Sequence, residues 1–217
     1  MAITRDLQNR RLNWAIRLST IIGIGVLHYV CYYMVNLINS LRQSSVFFNF
    51  STVVDNWIPY FGWSWVFYYF GDVYVSLGAA IIVWRLSDKM FVRALYVYIG
   101  MIITGALIQL ALPGKAPWPN ELIGAQHFVH NLISMRPYAC LPSMHVALTV
   151  FPTCVLFSVT KSKLIRILST LTAILITFST LSMKEHFFLD TLTGLILGLS
   201  FYAIWRRALK FLRRHPK

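Results

Sequence analysis

Charge is what this chain has least of. Only 12% of its 217 residues are Asp, Glu, Lys or Arg, about half the fraction carried by a soluble domain of this size, while 57% are hydrophobic. That balance excludes an ordinary water-soluble domain and points to a polytopic membrane protein, all-α because lipid offers the backbone no hydrogen-bond partners. Cysteine is also scarce. Cys31, Cys140 and Cys154 are an odd number with two inside apolar runs, so no disulfide framework is implied. Internal repeats and low-complexity segments are lacking. No cleavable signal peptide is expected, because the first apolar run has full spanning length and no small-residue cleavage site. Acidic residues number 7 against 20 Lys and Arg, a net charge of +13.

What is there is a series of apolar runs. Runs of about 17 to 25 residues with little charge mark spans, and six are found: Leu18 to Ile38, Trp57 to Trp84, Ala94 to Leu112, Met144 to Thr160, Ile167 to Met183 and Phe187 to Trp205. The second is crowded with aromatics from Trp63 to Phe70 and interrupted by Asp72. The expected architecture is one integral membrane domain over 1–217, a six-helix bundle.

The cations orient it. Arg5, Arg10, Arg11 and Arg17, then Arg85, Lys89 and Arg93, then Lys161, Lys163 and Arg166, then Arg206, Arg207, Lys210, Arg213, Arg214 and Lys217 all fall on one side, leaving Arg42, Lys115, Arg136 and Lys184 on the other. The positive-inside rule makes the first side cytoplasmic, with both termini there. Topology and anionic headgroups then account for most of the net charge. Basic residues divided among four loops form a membrane rim, so no nucleic-acid partner is expected.

On the sparse outer side, cations sit beside histidines and prolines, in the 113–143 loop and in "STLSMKEHFFLD", residues 179 to 190. His186 and Asp190 are four apart at a helix start, so the carboxylate can orient the ring. An aspartate within a span costs about 2.5 to 3.5 kcal/mol on insertion scales; the pair serves either as glue between helices or as chemistry. The second feature is "LPSMHVALTV", residues 141 to 150. Pro142 suits a first helical turn, and Ser143 and His145 then sit at a helix start where a phosphate can bind. Its plainer reading is a capped helix with an interfacial histidine. Two such starts on one face bring together two imidazoles and a carboxylate, the set that phosphoryl transfer needs as nucleophile, acid and orienter. Lys115, Arg136 and Lys184 are the cations available to neutralise phosphoryl oxygens.

Other polar residues have plainer readings. His127 and His130 are spaced as metal ligands but lack a third, so no metal is expected. His28 reads as helix packing, Asp72 as a partner for a buried cation or the lining of a headgroup path, and the aromatics of residues 57 to 69 as an interfacial belt.

Pro142-Ser143-x-His145, with Ser179, His186 and Asp190 spaced seven and four apart, resembles the second and third signatures of the type 2 phosphatidic acid phosphatase superfamily, P-S-G-H and S-R-x5-H-x3-D. The resemblance covers about residues 94–205, the expected catalytic core. It implies a six-helix fold, an outward-facing site, His186 as the residue that becomes phosphohistidine, His145 as general acid and no cofactor. Ser143, Ser179, Lys115, Arg136 and Lys184 are the implied phosphate-binding residues. Departures are visible. Met144 replaces the signature glycine and Thr180 the arginine. The first signature, K-x6-R-P, is not met at its usual spacing: Lys115 begins "KAPWPNEL", and the Arg-Pro pair comes only at Arg136-Pro137. Lys184 stands where it can replace the missing arginine. The pattern is also similar to the branch that includes inositol phosphorylceramide synthases.

The expected function is therefore hydrolysis of a lipid phosphate or pyrophosphate at the extracytoplasmic face of a bacterial inner or plasma membrane. Transfer of the phospho-group to a lipid or sugar-lipid acceptor is the alternative. A transporter or structural bundle is a third reading, one that would place polar groups near the midplane. The expected partners are the bilayer and a lipid phosphate substrate.

Overall fold

The structure, a computed structural model, describes residues 14–71, 74, 86–118 and 138–214. Helix α1 spans Trp14–Ser40, α2 Val53–Trp57, α3 residues 65–71, α4 Asp88–Ala111, α5 Met144–Val159, α6 Lys163–Ser182 and α7 Phe188–Arg214. Among the described residues α1, α4, α6 and α7 are long and apolar enough to cross a membrane, and α5 is a shorter apolar helix. The protein is a helical membrane protein.

Local chemistry sets the helix starts. Ser87 precedes Asp88 at the head of α4, which places a carboxylate at the positive end of the helix dipole. The Ser162 hydroxyl accepts from the Ile165 amide at the head of α6, and Thr52 with Asp55 forms a reciprocal capping box on α2. The second apolar run differs from expectation at its start. Trp57 ends α2, Ile58 is extended, and a 3-10 turn at Gly62–Ser64 precedes α3. Pro59 explains the break, since the residue before a proline is pushed out of the helical region. The rest of that run, with Asp72, lies outside the described residues.

Helix α5 sits at the centre, packed on α7 and α6, while α4 packs on α7 and α1. Phe91, Tyr98, Met101 and Ile102 of α4 meet Met144, Ala147, Leu148, Phe151 and Val155 of α5 and Leu197 and Trp205 of α7 in one apolar core. Helix α5 is apolar all round and buried along most of its length, as a central helix must be. The outer helices expose their apolar residues, among them Ile22 and Tyr29 of α1, Leu164 and Ile174 of α6 and Ile196 of α7. An apolar outer surface of this extent fits lipid rather than water.

Close approach of α5 and α7 depends on two glycines one turn apart. A Cβ at Gly194 would lie 2.4 Å from the Ser143 carbonyl oxygen, and one at Gly198 would lie 2.9 Å from that of Ala147. Small residues at this spacing let helix backbones touch in a membrane. The head of α5 is consequently pressed onto the head of α7.

Candidate active site

Three straps build the site at one end of the bundle. The first leads into α5. Gln109 of α4 donates its amide to the Ala139 and Pro142 carbonyls, and the Asn39 amide of α1 donates to the Gln109 and Tyr138 carbonyls. The second is the turn between α6 and α7, where the Thr180 carbonyl accepts from the amides of both Glu185 and His186. The third is the loop around α2. Asp55 accepts from the Phe188 amide, and the Lys184 ammonium donates to the carbonyls of Asp55 and Ile58 at 2.9 and 2.6 Å. Lys184 holds a left-handed backbone with φ of 58°, an uncommon conformation for a residue with a side chain.

These straps bring His145, His186, Asp190 and Ser143 together. His186 Nδ1 lies 3.4 Å from Asp190 Oδ2, longer than a formed hydrogen bond but of the kind that tightens when substrate binds. The same Oδ2 accepts from the Phe187 amide at 2.9 Å. Local geometry here differs from the expected shared helical face. His186 lies in the turn before α7, and Asp190, in the first turn, reaches back to it as the acidic half of a capping box does. The His145 and His186 ring centroids are 6.0 Å apart. Tyr68 of α3 covers His145, with rings 4.4 Å apart and its hydroxyl 3.4 Å from Nδ1.

Ser143 also differs from expectation. It is the N-cap of α5, with Pro142 just outside the helix behind a cis Leu141–Pro142 bond. Its amide is not open to a ligand, because it donates to the Asp190 carbonyl at 2.8 Å. Its hydroxyl is fully buried with no partner among the described residues.

The remaining expected residues stand apart from the histidines. Lys115 lies over the Phe47 ring at 4.6 Å, Ser179 is buried and donates to the Ile176 carbonyl, and Lys184 is bound to the α2 loop. None of the three lines the small cavity at the histidines. Arg136, His127 and His130 lie outside the described residues. Thr180, in the place of the signature arginine, is buried with its hydroxyl toward Thr191 of α7.

That cavity measures about 20 Å³ and is lined by His28, Tyr32, Tyr68, Gln109, Ala139, Met144, His145, Glu185 and His186. A volume of this size holds on the order of one water, so a phosphate enters only if side chains give way. Two of these residues differ from or add to the sequence reading. His28, read as packing, faces the cavity. Glu185 belongs to neither signature; it is buried, and its Oε2 accepts from the Trp118 indole at 3.0 Å. Burial pushes its carboxyl up to about 7, against the lowering effects of that indole and of His186. Its signal in the sequence was its position, an acid directly before a candidate nucleophile on a face with few acids.

Met144 fills space that the signature glycine would leave open. Gly105 on α4 makes room for it, since a Cβ there would lie 2.2 Å from Met144 Sδ.

A family model described as the PAP2 superfamily matches residues 42–204. The chain belongs to the PAP2 superfamily. No curated protein and no solved structure matches it. PAP2 members are phosphatases or related phosphotransferases, so this protein is an enzyme acting on phosphate esters. The PAP2 match begins well before the 94–205 core that the signatures outline, and it takes in the α2 loop that holds Lys184 and Phe188.

Proposed function

We propose that this PAP2 protein hydrolyses a lipid phosphate or pyrophosphate through a phosphohistidine on His186. The observation that carries the reading is the His186–Asp190 contact beside His145. With Nδ1 turned to the carboxylate, Nε2 of His186 is the nitrogen that attacks phosphorus. Asp190 stabilises the imidazolium as the N–P bond forms, and His145 passes its proton to the departing oxygen. Water then attacks the phosphohistidine, its proton goes to His145, and the N–P bond breaks to release phosphate. Both histidines return to their starting states. Ser143 and the 113–143 loop cation Arg136 are the proposed phosphate ligands in this scheme, Lys115 joins them only by leaving the Phe47 ring, and Ser179 and Lys184 act through the shape of the turn.

The proposed topology has six spans, both termini cytoplasmic and the site facing the periplasm or exterior of a bacterial membrane. It is supported by the cation asymmetry along the chain and by the grouping of both histidines at one end of the bundle. Transfer to a lipid or sugar-lipid alcohol is the second reading. The narrow, aromatic-walled cavity favours it, because such a site limits water.

Detergent-solubilised protein given a panel of lipid phosphates and pyrophosphates, with and without an alcohol acceptor, tests both readings. Release of inorganic phosphate without acceptor is expected. Product formed only with the acceptor would establish the transferase, and no turnover of any phosphate ester would overturn both.

A further inference from the structure

Helix α3 turns one stripe of side chains toward the site. Ser64, in the 3-10 turn at its head, is fully buried and accepts from the Ser182 hydroxyl at 2.8 Å. Beside it the Phe61 amide donates to the Ser182 carbonyl at 3.0 Å. Four residues on, Tyr68 lays its ring on that of His145, with 4.4 Å between centroids and its hydroxyl 3.4 Å from Nδ1. Gly71 then brings the same stripe against α6, where a Cβ would lie 3.2 Å from Ile176 Cγ2. Residues at i, i+4 and i+7 share a helix face. The short helix is therefore tied at its start to the end of α6, from which the His186 turn departs, and reaches His145 with its middle.

We propose, resting on the phosphohistidine reading, that Tyr68 is the positioning residue of His145, holding Nδ1 at the phenol oxygen so that Nε2 is the nitrogen that protonates the departing oxygen. The terminal torsion of a histidine is broad and roughly two-fold, so packing alone leaves two ring orientations, and a polar atom at Nδ1 selects between them. Nδ1–H donates to the Tyr68 oxygen while the ring is an imidazolium and after Nε2 has given up its proton, so the contact persists through both halves of the reaction. At Nδ1 the two histidines meet different oxygens, a carboxylate of Asp190 for His186 and a phenol for His145. The carboxylate stabilises a ring that becomes positive as the N–P bond forms, whereas the uncharged phenol orients a ring that must release its proton.

Tyr68→Phe keeps the ring cover and removes the hydroxyl alone. The full chain in detergent micelles is compared with this variant by kcat/KM on an alkyl phosphate and on p-nitrophenyl phosphate, since kcat/KM reports the steps through departure of the leaving group. A loss of roughly tenfold is expected on the alkyl phosphate, the effect of one hydrogen bond. On the activated ester the loss should stay below about twofold, because its leaving group needs little protonation. In a His145→Ala background Tyr68→Phe should change neither rate, because a residue that acts through His145 has nothing left to position. Tyr68→Trp, which also covers the ring without a hydroxyl, serves if the phenylalanine variant does not fold. The His145→Ala comparison decides alone if the wild type takes only the alkyl ester. Equal losses on the two esters, an undiminished loss in the His145→Ala background, or no loss at all would each overturn the proposal. Wild-type turnover by His186→Ala removes the phosphohistidine reading and the proposal with it. A leaving-group-dependent loss in His145→Ala without one in Tyr68→Phe removes only the role of Tyr68.

Discussion

The Ser143 amide donates to the Asp190 carbonyl at 2.8 Å, so the heads of α5 and α7 form one unit. Residues 47 positions apart in sequence are thereby fixed within the same hydrogen-bonded corner. His145 and His186, each close in sequence to one member of this pair, inherit their separation from it. Gly194 permits the contact by leaving the Ser143 carbonyl unobstructed.

Gly194→Leu is expected to separate the two heads. A Cβ 2.4 Å from a backbone oxygen has no flexible neighbour to displace, so the helices must move apart and the protein should lose most of its folded yield and its activity. Gly23→Leu is the control, because nothing lies within 4 Å of a Cβ there. Size-exclusion profiles and turnover of both variants check this; equal behaviour would show that the close approach is not required.

His186→Ala should abolish turnover of every substrate while leaving the bundle folded. His145→Ala should lose about 10²- to 10⁴-fold on an alkyl phosphate, the usual worth of a general acid, and much less on p-nitrophenyl phosphate, whose leaving group needs little protonation. Rates of both variants on both esters, provided the wild type accepts each, decide the assignment. Equal losses for His145→Ala on the two substrates would remove it as the acid.

Lys184→Met is expected to act through the fold of the turn. The variant loses two charge-assisted bonds to the Asp55 and Ile58 carbonyls, each worth about 1.5 to 3 kcal/mol when formed to an ionised group, with part of that returned by hydration. Its melting temperature in micelles should fall measurably, with kcat reduced as His186 loses its support. A raised KM with unchanged melting would instead make Lys184 a direct phosphate ligand.

The proposed orientation is checked by labelling with a membrane-impermeant maleimide. Native Cys140 is a poor reporter because it is only 1% exposed. Cysteines introduced at Ser45 and Lys163, both at exposed positions, should react from outside and from the cytoplasm respectively. The reverse pattern would turn the site to the cytoplasm.

Much of the architecture was legible along the chain because lipid imposes a local rule. Each span must satisfy its own backbone, so apolar length alone marked the helices now found at Trp14–Ser40, Asp88–Ala111, Met144–Val159, Lys163–Ser182 and Phe188–Arg214. The histidines and Asp190 were legible through their spacing at helix starts. The break at Pro59 was available in the sequence, but the density of aromatics around it masked it.

Other features had no local signature. The environment of Lys184 is set by Asp55 and Ile58, more than a hundred residues away, so its charge alone could not tell a phosphate ligand from a strap. Met144 read as a departure until Gly105 was seen to make room for it on α4. Glu185 owes its raised proton affinity to burial, against the lowering effect of an indole from another segment. Sequence by itself determined the helices and the reactive groups at their ends, because backbone satisfaction and residue chemistry are local properties. Only the tertiary structure decided which cations turn away from the histidines and which acid joins them, because the direction and solvation of a side chain depend on the helices packed around it.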